Sequence, residues 1–91
     1  MVYVDPLRTV LRTSVRWPWP MSCHLYADTE DELHRFASRI QLHHAWFQGH
    51  DRLPHYDLTA AKRAWAVRAG AVEVTSRQMV ERLRARRRLD A

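Results

Sequence analysis

The side chains best suited to binding metal ions or moving protons lie between residues 46 and 63. His55, Tyr56 and Asp57 place an imidazole, a phenol and a carboxylate at consecutive positions, and Lys62 and Arg63 add two cations. In such a set the carboxylate can orient the imidazole, which then acts as a general base or a metal ligand, while the cations hold an anion. This stretch is therefore the first candidate for a functional site.

Further polar side chains lie in predicted strands or just beyond them. Asp5, Asp28 and Gln48 come at or past strand ends, and His24 lies within the second strand. In a sheet of parallel strands, ligands bind outside the carboxyl ends, so we expect these residues to converge on the central stretch. The predicted catalytic residues are His24, His55 and Asp57. The predicted ligand-binding residues are Asp5, Asp28, Gln48, Tyr56, Lys62 and Arg63.

Four short strands are predicted to carry these residues. Residues 2–4 are β-branched or aromatic, which is typical of a strand, and residues 22–27 alternate between two faces. Residues 45–48 and 71–74 are predicted to form the third and fourth strands. The strands therefore precede or contain most of the candidate residues.

Three helices are predicted from capping residues and apolar periodicity. Thr29 and Glu32 form a capping box before an apolar stripe, and Thr59 and Ser76 can cap the next two helices. Gly70 follows the second helix, where a residue with positive φ is expected. The predicted helices cover residues 30–40, 60–69 and 76–89.

The order of these elements is β, excursion, β, α, β, α, β, α. This alternation predicts a small single α/β domain with about four mostly parallel strands and three helices. The domain is expected to cover residues 1–83, and residues 84–91 form a basic helix end or tail. A chain of 91 residues builds one small core, so a homo-oligomer is a reasonable expectation.

Residues 7–20 form an irregular excursion rich in tryptophan and proline between the first two predicted strands. Its WPWP run, from Trp17 to Pro20, cannot continue a helix, because each proline lacks an N–H and pushes the preceding tryptophan towards extended geometry. One interpretation is a lid that packs over the core. The other is an aromatic surface that stacks on a base or another ring.

The chain carries a formal net charge of +5, and arginine provides nearly all of its positive charge. Arginine can contact phosphate or carboxylate through two hydrogen bonds, so nucleic acid, a nucleotide or an acidic protein surface would be a suitable partner. The alternative is a solvated surface whose arginine content reflects codon bias in a GC-rich genome. The residues predicted to contact nucleic acid are Arg84, Arg86, Arg87 and Arg88.

The single cysteine, Cys23, excludes an internal disulfide and a cysteine-rich zinc site, and it fits a reducing cytosol. Adjacent strand residues face opposite ways, so His24 is not placed to deprotonate Cys23, which we expect to be a small buried hydrophobic residue. No apolar run is long enough to span a membrane, and the first residues lack the apolar core of a signal peptide. We therefore expect a cytoplasmic protein with no membrane partner.

Four segments of the chain resemble the domain of unknown function 4031 family of small bacterial and phage proteins. They are VYVD at 2–5, CHLYADTEDELHRFA at 23–37, WFQ at 46–48 and PHYDLTAAKRAWAVRAGAVEV at 54–74. The segment from Leu7 to Pro20 does not match the family pattern well, the arginine-rich tail beyond Ser76 lies outside it, and the resemblance implies no activity. It does imply a polar signature, of the kind that more often serves ligands than packing. The signature residues are Asp5, His24, Asp28, His34, Gln48, His55, Tyr56, Asp57, Lys62 and Arg63.

A divalent metal is one candidate cofactor, because histidine and aspartate are suitable ligands for zinc, manganese or iron. Asp5, His24, His55 and Asp57 meet if the first two strands are neighbours and the 54–57 loop folds over them. The sequence contains no HExxH, CxxC or HxH spacing. The alternative is that these histidines only cap, hydrogen-bond and pack.

A small phosphorylated ligand or nucleotide is a second candidate. Lys62 and Arg63 lie near the predicted start of a helix, where backbone N–H groups and positive charge favour anions. The chain has no glycine-rich phosphate loop, and the alternative is that both cations are solvated or paired with Asp57 or Asp28.

These observations favour a cytosolic small-ligand domain, and an enzyme acting on a phosphorylated or nucleotide substrate is one form that it could take. The alternative is a non-catalytic adaptor that binds nucleic acid or protein through the arginine-rich C-terminal helix. The sequence leaves open whether the protein is an enzyme, and which ligand and metal it binds.

Overall fold

The computed structural model describes residues 1–49 and 52–90, with side chains described up to residue 85. Within these ranges the chain forms five strands, three α-helices and a short 3-10 helix at His44–Trp46. The strands are β1 (Val2–Val4), β2 (Arg8–Thr9), β3 (Met21–Ala27), β4 (Tyr56–Leu58) and β5 (Val72–Glu73). The helices are α1 (Glu30–Arg39), α2 (Ala60–Arg68) and α3 (Ser76–Asp90). The prediction of a small single α/β domain is confirmed.

The strands form one mixed sheet around β3, so the prediction of mostly parallel strands is wrong. Strand β3 pairs antiparallel with β1, β2 and β4, whereas β1 and β5 are parallel. The excursion over residues 7–20 connects β1 to β3 as a long hairpin, in which the Val10 N–H donates to the Pro20 carbonyl at 2.8 Å. A hairpin reverses the direction of the chain, so β3 runs back along β1.

The predicted strand over 45–48 is also wrong. Residues His44–Trp46 form the 3-10 helix, and Gln48 alone of the predicted four pairs with another residue, in an isolated bridge to His55. The strand lies instead at β4, which overlaps the loop predicted over residues 54–57. Phe47 packs against the core from this non-strand position, so tertiary packing outweighs the strand preference of its aromatic neighbours.

The two faces of the sheet have different roles. Cys23, Leu25 and Leu58 lie on the face covered by α1 and α2, in one buried apolar cluster. The opposite face carries Tyr3 and Tyr26, which are also buried, and it is partly covered by α3. The guanidinium carbon of Arg82 on α3 lies 3.9 Å from the centre of the Tyr3 ring. No helix in the described part of the chain is long and apolar enough to cross a membrane.

Each helix begins at a threonine cap. The Thr29 and Thr59 hydroxyls accept backbone N–H bonds three residues later, as predicted. For α3 the cap is Thr75 rather than the predicted Ser76. The Thr75 hydroxyl accepts from the Gln78 N–H at 3.1 Å, and the Gln78 side chain accepts from the Thr75 N–H at 2.8 Å. These reciprocal bonds satisfy two donors that the helix itself cannot.

The first two helices end in left-handed residues. After α2, Gly70 has φ of 111°, and its N–H donates to the Val67 carbonyl at 3.1 Å, as its predicted position after the helix requires. After α1 the same place is taken by Gln41, with φ of 60°. Glycine adopts this conformation without cost, whereas a residue with a Cβ atom is strained.

Candidate functional site

His24, His55 and Asp57 converge on one point at the face of the sheet that carries Tyr3 and Tyr26. Asp57 lies directly opposite His24 in the β3–β4 pairing, and His55 lies two residues before Asp57. The Asp57 Oδ1 atom is 3.4 Å from His55 Nε2 and 3.9 Å from His24 Nε2. All three atoms lie within 4.8 Å of one another. The three residues predicted to be catalytic are therefore neighbours.

Asp5, the residue that follows β1, holds the His24 ring in place. Its Oδ2 atom lies 2.7 Å from His24 Nδ1, and its Oδ1 atom accepts the His24 backbone N–H at 2.6 Å. Asp5 is completely buried, which by itself raises the pKa of its carboxyl group. The bonds from His24 and the charges of His24 and Arg8 outweigh burial and hold this pKa below its ordinary value. The carboxylate thus keeps His24 Nε2 turned towards Asp57.

The His55 ring is held by a backbone group. Its Nδ1 atom lies 2.8 Å from the Leu53 carbonyl oxygen. A carbonyl oxygen accepts hydrogen bonds and cannot donate them, so Nδ1 carries a hydrogen. In the neutral ring Nε2 is then unprotonated and turns its lone pair towards Asp57, whereas in the protonated ring Nε2 donates a hydrogen bond to the Asp57 carboxylate. His55 is itself fixed by two backbone hydrogen bonds with Gln48, in an isolated antiparallel bridge.

The Asp57 carboxylate is oriented by Gln48, whose side-chain amide donates to Oδ2. This bond leaves Oδ1 as the oxygen that faces the two histidines. Burial raises the pKa of Asp57, but hydrogen bonds from His55 and Gln48 and the charge of His24 together lower it below its ordinary value. Asp57 is therefore an anion at neutral pH.

A cavity of about 340 Å³ borders the two histidines. Met79 and Leu83 of α3 form one part of its wall, and Arg52 and Leu53 form another. Sequence reasoning missed these four residues as site residues. Met79 and Leu83 follow the apolar period of α3, but that period does not show which face of the sheet the helix covers.

A family model described as "Protein of unknown function (DUF4031)" matches residues 2–86. This chain belongs to that family. The match runs from β1 into α3, so the DUF4031 domain includes the excursion over residues 7–20 and the start of the arginine-rich helix. No curated protein and no solved structure matches the chain.

Two predicted anion-binding residues of this DUF4031 domain have internal partners. The Lys62 ammonium group donates to the Ile40 carbonyl at 2.7 Å, and so binds the C-terminal end of α1. The Arg63 Nε atom donates to the Asp5 carbonyl at 2.9 Å, and its Nη1 atom pairs with Glu73 at 3.0 Å. These contacts connect α2 to the rest of the DUF4031 fold and place both cations outside the histidine cluster.

Asp28 lies at the opposite end of the DUF4031 sheet from Asp5. Both follow strands, but β1 and β3 are antiparallel, so their carboxyl ends point to opposite edges. Asp5 is bonded to His24, and the four residue steps of extended chain from His24 to Asp28 span about 13 Å. Asp28 instead accepts the Tyr3 hydroxyl at 3.0 Å. The structure thus separates Asp28 from the other candidates.

Tyr56 also lies apart from the histidine cluster, because it points to the core face of β4. Its hydroxyl is 2.9 Å from Nδ1 of His34 on α1. The His34 ring packs in turn against His44 and Phe47, with centres 4.6 and 4.5 Å away. His34 and Tyr56 therefore join α1 to β4.

Proposed function

We propose that this protein is a divalent-metal-dependent enzyme whose ion is held by His24, His55 and Asp57. The observation that carries the proposal concerns the second polar atom of each ligand side chain. In His24, His55 and Asp57, the nitrogen or oxygen that does not face the metal position is hydrogen-bonded to a neighbouring group. Those groups are the Asp5 carboxylate, the Leu53 carbonyl and the Gln48 amide. Metal-binding histidines almost always donate their other ring N–H to a carboxylate, a backbone carbonyl or water, which sets the tautomer and orientation of the ring.

The distances between the ligand atoms are close to those in a metal site, and the atoms would move slightly closer together when a metal ion binds. Two atoms that are each about 2.1 Å from a tetrahedral zinc ion lie about 3.4 Å apart. The His55–Asp57 pair has this separation, and the His24–Asp57 pair is slightly wider at 3.9 Å. Two neutral imidazoles and one carboxylate suit zinc or manganese, and the same set with open positions suits ferrous iron.

The proposed reaction is hydrolysis. Three protein ligands would leave one coordination position open to water, and a bound metal would supply the Lewis acidity that activates this water near neutral pH. The 340 Å³ cavity beside His24 and His55 gives a substrate access to that position. His24 and His55 stay oriented throughout, because Asp5 and the Leu53 carbonyl hold their other nitrogens.

A phosphorylated compound is the proposed class of substrate. A metal ion polarises a phosphoryl oxygen and stabilises the charge that develops on it. Arg52 lines the cavity beside the histidines, where its guanidinium group can contact phosphate through two hydrogen bonds. Arg63, by contrast, is paired with Glu73, so the proposed anion contact comes from Arg52.

The proposed location is the cytosol. Cys23 is the one cysteine of the sequence, and it is buried as a thiol in the core. A fold without an internal disulfide does not need an oxidising compartment.

Metal binding tests the proposal. Untagged protein is stripped with EDTA, titrated with zinc, manganese or, without oxygen, ferrous ions, and weighed by native mass spectrometry. We expect one ion per chain. In His55→Ala and Asp57→Asn the affinity should fall by more than the roughly 10- to 100-fold typical of outer-sphere changes. His43→Ala is the matched control, because His43 is exposed and outside the cluster.

The metal-loaded protein is then assayed with p-nitrophenyl phosphate and bis(p-nitrophenyl) phosphate. Hydrolysis that requires the metal and is lost in both variants supports an enzyme. Equal metal affinity in the wild-type protein and the two variants would refute the site. Folded wild-type protein that binds none of the three metals would show instead that His55 and Asp57 form a simple ion pair.

The adaptor remains a second candidate because α3 stays helical to Asp90 and carries exposed arginines. Arg77 is 90% exposed, and Arg84 is also exposed. The side chains of the predicted nucleic-acid contacts Arg86, Arg87 and Arg88 lie outside the described residues. Deleting the residues after Leu83 should weaken nucleic-acid binding and reduce its salt dependence if α3 is the binding surface. Unchanged affinity and salt slope would rule the adaptor out.

A further inference from the structure

A second and larger cavity borders the candidate metal centre. Its volume is about 700 Å³, within the usual range for small-molecule sites. Gln48 and Asp57 belong to its wall as well as to the histidine cluster, so a ligand in this cavity would reach the centre. Its aromatic lining consists of Trp17, Trp19, Trp46 and Phe47. We refer to it as the aromatic cavity.

Local structure holds the two tryptophans of the excursion in place. The Trp17 indole N–H donates to the Met21 carbonyl at 3.2 Å. The Trp19 ring meets the Trp17 ring edge to face, with centres 4.9 Å apart. Pro18 and Pro20 restrict the backbone around Trp19 to extended geometry. Trp19 is nevertheless 46% exposed, so its position is set without the ring being buried.

The 3-10 helix supplies another part of the aromatic wall. Trp46 is 52% exposed, and its ring contacts His43 at 4.6 Å between centres. Phe47 packs partly against the core. Removing the surface of an exposed indole from water is favourable. Because rings from two separate segments line the same cavity, a ligand that covers them would gain this free energy.

The cations of the aromatic cavity define the rest of the ligand. Arg16 lines it together with the aromatic rings, and so does Lys62, whose ammonium group also donates to the Ile40 carbonyl. A purely apolar ligand would not use these charges, and inorganic phosphate would not use the indoles. A planar heteroaromatic ring joined to a phosphate uses both, because bases stack on aromatic side chains and phosphate pairs with arginine and lysine.

We propose that the aromatic cavity binds a nucleobase and that the attached phosphate pairs with Arg16; with a metal ion at the candidate centre, the phosphate also lies towards Gln48 and Asp57. The base subsite and the Arg16 contact are independent of the metal, whereas the position of the phosphate near Gln48 and Asp57 rests on the proposed function. The nucleotide unit can be a free mononucleotide or part of a single strand. The WPWP run thus acts as a stacking surface rather than only as a lid over the core.

Binding of nucleotides by variants of two cavity tryptophans, Trp19 and Trp46, tests this proposal. AMP, GMP, CMP, UMP, adenosine and a six-nucleotide oligodeoxyadenylate are each titrated in EDTA, by equilibrium dialysis and tryptophan fluorescence. Trp19→Ala and Trp46→Ala change rings that are about half exposed, so the fold should survive. Trp65→Phe is the matched control, because Trp65 lies outside the cavity, beneath the Lys62 ammonium group.

We expect binding of at least one mononucleotide, and of adenosine if adenine is the preferred base. Both alanine variants should weaken it roughly 5- to 100-fold, the range that loss of one stacked base gives, and Trp65→Phe should not. Tighter binding of the oligonucleotide, with the same dependence on Trp19 and Trp46, would identify a single strand as the source. Equal or weaker binding would identify the free nucleotide.

Binding of none of these compounds, or equal binding by the wild-type protein and both alanine variants, would overturn the proposal. The result is independent of the metal test. Nucleotide binding without any metal binding would refute the proposed metal-dependent enzyme and leave the nucleobase site supported. Metal binding that depends on His55, without nucleotide binding, would refute only the proposed nucleobase site in the aromatic cavity.

Discussion

Asp5 contacts His24 twice, once through the ring and once through the backbone. The Asp5 Oδ2 atom is 2.7 Å from His24 Nδ1, and Oδ1 accepts the His24 N–H at 2.6 Å. A buried carboxylate on the neighbouring strand thereby determines which imidazole nitrogen faces Asp57. Asp5 acts on the proposed centre through His24 and is therefore a positioning residue.

Asp5→Asn should weaken metal binding while leaving all three proposed ligands present. The amide keeps the shape of the carboxylate but loses its charge, so it no longer favours the Nδ1–H form of His24. We expect a roughly 10- to 100-fold loss of zinc affinity, measured by calorimetry on protein whose folding is verified by circular dichroism. Asp28→Asn is the control, because Asp28 is 47% exposed and lies at the other edge of the sheet. Equal losses in the two variants would contradict the positioning role.

The buried Asp5 carboxylate should also make folding stability depend on pH. Its pKa in the folded protein lies below the ordinary value of 3.8, so the unfolded chain binds the proton more readily. The stabilisation is therefore present above pH 3.8 and is lost as the pH falls through the folded pKa. Urea unfolding from pH 7 to pH 3 should show Asp5→Asn about 1–3 kcal/mol less stable at pH 6, with a smaller difference at pH 3. Parallel pH curves would exclude this contribution.

Gln41→Gly should stabilise the protein. Gln41 occupies the left-handed position after α1 with φ of 60°, where a Cβ atom is strained and glycine is not. We expect the free energy of unfolding to rise by about 0.5–1 kcal/mol, measured by thermal and urea denaturation. Gly70→Ala is the converse control, because Gly70 has φ of 111° and should lose stability. A decrease in both variants would show that the Gln41 side chain matters more than its backbone.

Tyr26→Phe should cost no stability. Among the described residues, the buried Tyr26 hydroxyl has no hydrogen-bond partner, and burial raises its pKa to about 12. Removing an unsatisfied hydroxyl should leave the free energy of unfolding unchanged or raise it by up to about 1 kcal/mol. Tyr3→Phe should instead lower it by about 1 kcal/mol, because the Tyr3 hydroxyl donates to Asp28 at 3.0 Å. A larger loss for Tyr26→Phe than for Tyr3→Phe would mean that the Tyr26 hydroxyl has a partner.

Local features of the chain were predicted well. Thr29 and Thr59 cap their helices, Gly70 ends α2, and Leu33 and Phe36 lie on the buried stripe of α1. Each of these features depends on residues within a few positions of one another, which share the same turn of helix. The cap of α3 was predicted at Ser76, but it is Thr75. The reason is that Thr75 lies three residues before Gln78, whose side chain returns the hydrogen bond.

Long-range pairing was predicted poorly. The expectation of parallel strands grouped Asp28 with Asp5, but the excursion over residues 7–20 reverses the chain and puts them at opposite edges. Lys62 and Arg63 were expected at the site, but the sequence does not show that α1 leaves carbonyls for Lys62 or that Glu73 lies beside Arg63. Such contacts depend on how the elements pack.

The sequence by itself determined the α/β class, the capped helices and the concentration of imidazole and carboxylate groups around His24, His55 and Asp57. Only the tertiary structure decided that the nitrogens of His24 and His55 and an oxygen of Asp57 face one point, and that Asp5 and Gln48 orient them. The reason is that residue type and helical period act over a few positions, whereas atoms on β1, β3 and β4 are brought together by strand register. Register depends on the packing of the whole sheet against its helices.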